Sequence, residues 1–217
     1  MAELTTDDEK VEAIKKWWKE NGTAVIAGIV IGLGLVFGWR AWVNHQEQTG
    51  QRASLAFEQI LMAASSGEHE SAIEQAEVLT EEFASSPYAT LTDLAVARVQ
   101  VERGDLQGAA DVLRSAMERS PAPGLTTLAA FRLARVLIAE GALDEAAAVI
   151  EDHDDGPSFS ADFAGLRGDI AAARGEISRA RAAYQEAIDG GAGLSRLIEL
   201  KLQDLPAEVE LGPENAS

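Results

Sequence analysis

Few side chains in this chain can do covalent or acid–base chemistry, and they are scattered. The three histidines, His45, His69 and His153, stand apart from one another, and no HExxH pair or Cys/His cluster occurs. There is no cysteine, which removes disulfides, zinc-thiolate sites and thiol nucleophiles. One acidic cluster, Glu151-Asp152-His153-Asp154-Asp155-Gly156, resembles a cation loop in composition. Its acids do not fall at the alternating ligand positions that a calcium loop needs before its glycine, so it reads as a solvated loop after a helix. No glycine-rich phosphate loop is present. The sequence therefore predicts no catalytic, cofactor-binding or metal site.

What remains is binding chemistry. The order apolar, apolar, Arg, apolar occurs as Leu91, Leu94, Arg98 and Val101, and again 37 residues later as Leu128, Phe131, Arg135 and Ile138. Further upstream Phe57 takes the second place and Leu61 that of the arginine. A groove carrying these side chains would offer apolar patches and forked guanidinium donors to an extended polypeptide. The alternative is that the same residues pack helical hairpins together, with Arg98 and Arg135 paired to nearby acids.

The elements that would position these residues follow from a repeat. Gly67, Gly104, Gly141 and Gly175 each separate two apolar helical stretches, at intervals of 37, 37 and 34 residues. A helix–Gly–helix unit of this length marks a tetratricopeptide-type solenoid. Five residues after each glycine comes an alanine, Ala72, Ala109, Ala146 or Ala180, and one helix face continues through Ala76, Leu113, Ile150 or Tyr184. Pro87, Pro121 and Pro157 punctuate the unit boundaries. The signature Trp and Tyr of such repeats are missing, so the units are degenerate. Residues 194–205 read as a single capping helix.

Before the repeats, residues 22–39 run without a charge, and as a helix they would span roughly 27 Å. Trp17 and Trp18 precede the run, and Trp39 and Trp42 close it, like aromatic belts at two membrane faces. The bulky exit Trp39-Arg40-Ala41-Trp42 is a poor signal-peptidase site, which predicts an uncleaved anchor. Lys10, Lys15, Lys16 and Lys19 before the span outnumber Arg40 and Arg52 after it, which predicts a cytoplasmic N-terminus. Ala24, Gly28 and Gly32 form a small-residue ridge, and Gly34 and Gly38 repeat the spacing on another face, either for a partner helix or because glycine is common in membrane helices. A net charge of −18 argues against nucleic acid as a partner.

The expected organisation is all-α. Residues 1–21 form a cytoplasmic tail, 22–43 a transmembrane anchor, 44–205 a periplasmic tetratricopeptide-like domain, and 206–217 a disordered tail. KKWWKENG directly before the span, and FASSPYATLTDLA between the first two units, resemble the YfgM family, the ancillary subunit of the bacterial SecYEG translocon. The resemblance covers roughly residues 6–205. It implies an inner-membrane protein with a periplasmic repeat domain. It further implies association with SecYEG and a PpiD-like membrane-anchored chaperone, with secreted clients handed to periplasmic chaperones. Two other readings are a tether whose N-terminal tail restrains a cytoplasmic stress-response regulator, and an envelope-assembly scaffold.

Overall fold

A computed structural model describes residues 7–206, and the ends of the two expected tails lie outside the described residues. All regular structure among them is α-helical. The helices are α1 (Asp7–Ser65), α2 (His69–Glu82), α3 (Pro87–Glu102), α4 (Leu106–Arg119), α5 (Pro123–Glu140), α6 (Leu143–His153), α7 (Ser160–Ala173), α8 (Ile177–Asp189) and α9 (Ser195–Asp204). The chain divides into two units, one ending at Gln51 and one starting at Arg52.

The first unit is the N-terminal part of α1. It contains a window with mean hydropathy 2.0, long and apolar enough to cross a membrane. Its large apolar side chains face outward without protein cover: Val30, Ile31, Leu35 and Phe37 are all more than 60% exposed. A water-soluble helix would bury such a surface, whereas a bilayer supplies the apolar solvent it needs. Ala24 is exposed, and a Cβ placed on Gly28, Gly32, Gly34 or Gly38 would meet nothing within 4 Å.

The second unit is a stack of helical hairpins closed by a single helix. Each of the recurring glycines ends the first helix of a hairpin in the left-handed region, with φ of +79° at Gly67, +80° at Gly104, +82° at Gly141 and +76° at Gly175. The residue after each glycine donates its N–H to the carbonyl five residues back, as in Asp105 to Gln100 at 2.9 Å and Ala142 to Leu137 at 2.9 Å. This closure satisfies the last free carbonyls of the helix, and only glycine adopts the required φ without a steric cost. The start signals are as regular. Pro87 and Pro123 occupy first-turn positions of α3 and α5, where no N–H is needed. The Asp105 carboxylate caps α4 by accepting from the Gly108 N–H at 2.9 Å.

The second helix of each hairpin buries the expected face. Ala72, Ala109, Ala146 and Ala180 are at most 1% exposed, and Ala76, Leu113, Ile150 and Tyr184 follow them into the core. A small residue at the first of these places lets two helices approach, while the larger one fills the gap beyond it. The central core joins Leu94, Leu113, Leu133, Leu137, Ile150 and Phe163 across α3–α7. In the last hairpin the Tyr184 ring lies directly over Gly168, where a Cβ would come within 2.3 Å of it. α9 closes the stack: Ile198 seats on Gly165, and Lys201 donates to both oxygens of Asp169 at 2.7 Å.

Candidate functional site

The acidic cluster spans the end of α6, and its partly buried members have structural partners. Asp154 accepts from Arg167 at 2.5 Å, which bridges onward to Glu186 at 3.1 Å, and the His153 ring is hydrogen-bonded to the Val149 carbonyl at 3.0 Å. Among the described residues no group of three His, Asp or Glu side chains is placed to hold a metal ion.

The groove positions converge where the first helices of successive hairpins lie side by side. A cleft of about 470 Å³ between α3 and α5 is lined by Leu94, Ala97, Arg98, Val101 and Glu102 of α3 and by Arg132, Arg135, Val136 and Ala139 of α5, with Leu106 and Leu113 of α4 as its floor. A second cleft of about 270 Å³ adjoins it between the end of α1 and α3. It takes in Phe57, Leu61, Leu91 and Leu128, and shares Leu94, Arg98, Glu102 and Arg132 with the first. Together they make one elongated depression across α1, α3 and α5.

Of the ten groove positions read from the sequence, eight line this depression: Phe57, Leu61, Leu91, Leu94, Arg98, Val101, Leu128 and Arg135. Leu94 is also core, at 3% exposure, so it is floor rather than lip. Phe131 and Ile138 line neither cleft. Phe131 packs against Phe159 and Phe163, with ring centroids 6.1 and 5.9 Å away, and Ile138 packs on the central core. The reason is that each first helix has two flanks, one toward the preceding hairpin and one toward the following. α5 turns its Leu128–Arg132–Arg135–Ala139 stripe to the cleft, and Phe131, one residue off that stripe, is drawn to the aromatic pair of the next hairpin.

Arg132 was not legible as a site residue, because it lies next to the aligned apolar position rather than on it. Its guanidinium is half-buried and donates to the Leu94 carbonyl at 3.2 Å. Burial, and then the nearby charges of Arg135 and Arg98, lower its pKa from the usual guanidinium value. Arg98 donates to Glu102 at 2.8 Å along its own helix. Arg135 lies over the Phe131 ring at 5.9 Å, and neither it nor Arg132 has a carboxylate partner among the described residues. The cleft thus sets three guanidinium groups against one carboxylate over an apolar floor.

A family model described as a tetratricopeptide repeat-like domain matches residues 15–207. The ancillary SecYEG translocon subunit of Escherichia coli (strain K12) is 31% identical over 201 residues, covering 92% of this chain and 96% of that protein. The protein of the same name from Aggregatibacter actinomycetemcomitans is 34% identical over 206 residues, covering 94% and 100%.

The chain belongs to the YfgM family of ancillary SecYEG translocon subunits.

Among solved structures, MamA 41-end from Desulfovibrio magneticus RS-1 matches with a TM-score of 0.54 at 17% identity, covering 72% of this chain and 88% of that one. At that identity the likeness concerns the fold alone. Within the translocon-subunit family, the relatives match the membrane helix and the repeat domain together, because the coverage is nearly complete on both sides.

Proposed function

We propose that this protein is a non-enzymatic interaction subunit of the SecYEG translocon. It is anchored in the inner membrane by α1, with its N-terminus in the cytoplasm and its repeat domain in the periplasm. There it works beside a PpiD-like membrane-anchored chaperone and helps pass secreted proteins to periplasmic chaperones. The observation that carries the reading is end-to-end similarity to proteins named ancillary SecYEG translocon subunits, at 30–34% identity. Two physical features support it. An uncovered apolar helix with lysines before it and tryptophans at both ends fits a single span. An open apolar cleft on a solenoid of stacked hairpins is a surface that a polypeptide can lie along.

The glycine ridge of the span and the repeat-domain depression are the two proposed contact surfaces. Photo-crosslinking side chains at Gly28, Leu61 and Val101, introduced one at a time in living cells, test both. Leu61 and Val101 are 43% and 42% exposed, so replacement there leaves the core intact. The expected result is capture of SecYEG subunits or a PpiD-like chaperone from at least one position. Capture of cytoplasmic proteins from Leu61 or Val101 would overturn the orientation, and failure to capture a SecYEG subunit or such a chaperone from any position would overturn the association.

A further inference from the structure

Two clefts of the repeat domain carry three arginines each. In the cleft bounded by α6, α7 and α8, each of the three arginines is neutralised locally: Arg167 pairs with Asp154 and Glu186, Arg174 with Asp144, and Arg179 with Glu176. In the α1/α3/α5 depression only Arg98 has a carboxylate, Glu102, and Arg98 itself is 77% exposed. Arg132 uses one of its five N–H groups on the Leu94 carbonyl, and Arg135 rests on an aromatic ring. A chain of net charge −18 has acids to spare for every arginine, yet it leaves these two without one.

We propose that the depression binds an extended polypeptide segment in which carboxylate side chains alternate with apolar ones. This deepens, and rests on, the reading of the depression as a partner surface. The charge argument comes first. A neutral chain can offer backbone carbonyls to guanidinium groups, but carbonyls do not cancel the repulsion among three cations. A carboxylate does, and its two oxygens match the guanidinium fork. Burial is the main cause of the lowered pKa of Arg132, and the charges of Arg135 and Arg98 add to it.

The shape argument selects a polypeptide over a small anion. Leu94, Val101 and Val136 line the same cleft as the arginines, and the adjoining cleft continues the apolar surface through Phe57, Leu61 and Leu91. A free phosphate or dicarboxylate would leave that surface wet, whereas alternating side chains of one extended segment reach both features.

The test uses the full chain in detergent micelles and fluorescence anisotropy with three labelled peptides of equal length. In these, leucine alternates with glutamate, glutamine or lysine. The glutamate peptide is expected to bind at least about tenfold tighter than the glutamine peptide, with the lysine peptide weakest. Arg135→Gln, at an exposed position, should cut the glutamate preference to about threefold or less, weakening the glutamate peptide more than the glutamine peptide. Arg132→Gln should do the same if it folds, and the Arg135 variant keeps the test valid if it does not. Equal binding of glutamate and glutamine peptides, abolished by Val101→Glu, would overturn the carboxylate preference while the partner surface stands. Glutamate-peptide binding indifferent to both arginine variants would place it elsewhere and overturn the proposal. Absence of binding by any peptide would overturn the partner-surface reading with it.

Discussion

The contact between Gly168 and Tyr184 makes the sign of one substitution a test of the repeat register. Gly168 lies inside α7, and replacing a helical glycine by alanine ordinarily gains about 1 kcal/mol from backbone entropy. Here the new Cβ would sit 2.3 Å from Cδ1 and 2.4 Å from Cε1 of Tyr184, far inside the roughly 3.5–4 Å of ordinary carbon contacts. The ring cannot simply swing away. It is 3% exposed, and its hydroxyl donates to Asp169 at 2.8 Å, which Lys201 of α9 grips in turn. The helices must part, at a cost of about 2–3 kcal/mol for overpacking. Gly168→Ala should therefore lose about 1–2 kcal/mol net in urea denaturation of the detergent-solubilised chain, followed by far-ultraviolet circular dichroism. In a Tyr184→Leu background the ring is gone, so the same alanine should become neutral or stabilising. A gain in stability from Gly168→Ala with Tyr184 present would refute the close packing of α7 on α8. It would also undermine the placement of Phe163, through which α7 supports Phe131 and the arginine face of α5.

Three further outcomes are expected. Thr92 is fully buried with its hydroxyl unpartnered, so Thr92→Val should raise stability by about 1 kcal/mol in the same denaturation assay, and a loss of that size would mean the hydroxyl has a partner. Burial pushes the Asp93 carboxyl from 3.8 up to about 6 despite the adjacent Arg119, so its contribution to stability is full below pH 4 and is lost as the pH rises through 6. Asp93→Asn should flatten that part of the stability profile and stabilise the chain at pH 7.5 by at most roughly 3 kcal/mol, whereas an unchanged pH slope would exclude Asp93 as its source. Gly141→Ala, at φ +82°, should cost about 1 kcal/mol, while Gly124→Ala, in open space in the first turn of α5, should cost nothing, and equal thermal shifts would contradict the turn geometry.

The hairpin architecture was legible because it depends on residues with a single physical reason to be where they are. A glycine recurring at 37-residue spacing predicts a repeated turn, and the turn at Gly104 and Gly141 requires a left-handed residue. An alanine five residues later predicts a close helix approach, and Ala109 and Ala146 are fully buried. These signals are local, so they survive the loss of the Trp and Tyr that usually mark such repeats. The Gly168–Tyr184 contact was half legible: Tyr184 stood out on the repeated helix face, but only three dimensions reveal that Gly168 makes room for it.

The face of α5 was not legible to the same degree, and the cause is tertiary. Aligning units by their glycines carries the rotation of α3 over to α5, which puts Phe131 where Leu94 stands and Ile138 where Val101 stands. α5, however, is followed by a hairpin that presents Phe159 and Phe163, and a third aromatic ring gains more by joining that pair than by facing an open cleft. α5 nonetheless keeps the rotation of α3: Arg132, Arg135, Val136 and Ala139 line the cleft on its α3 side, as Ala95, Arg98, Val99 and Glu102, 37 residues earlier, line the cleft on the α1 side of α3, and Arg132 reaches the Leu94 carbonyl. Arg98 and Arg135 lie on the clefts at equivalent positions, whereas Phe131 lies on the flank of α5 that meets α7. The positive character of the cleft follows from Arg132 standing where α3 has Ala95, and whether a flank stays open follows from the neighbouring hairpin, which on the α7 side fills it with Phe159 and Phe163. A repeat alignment that treats each unit as independent cannot contain that information, because in a solenoid each unit is completed by its neighbour.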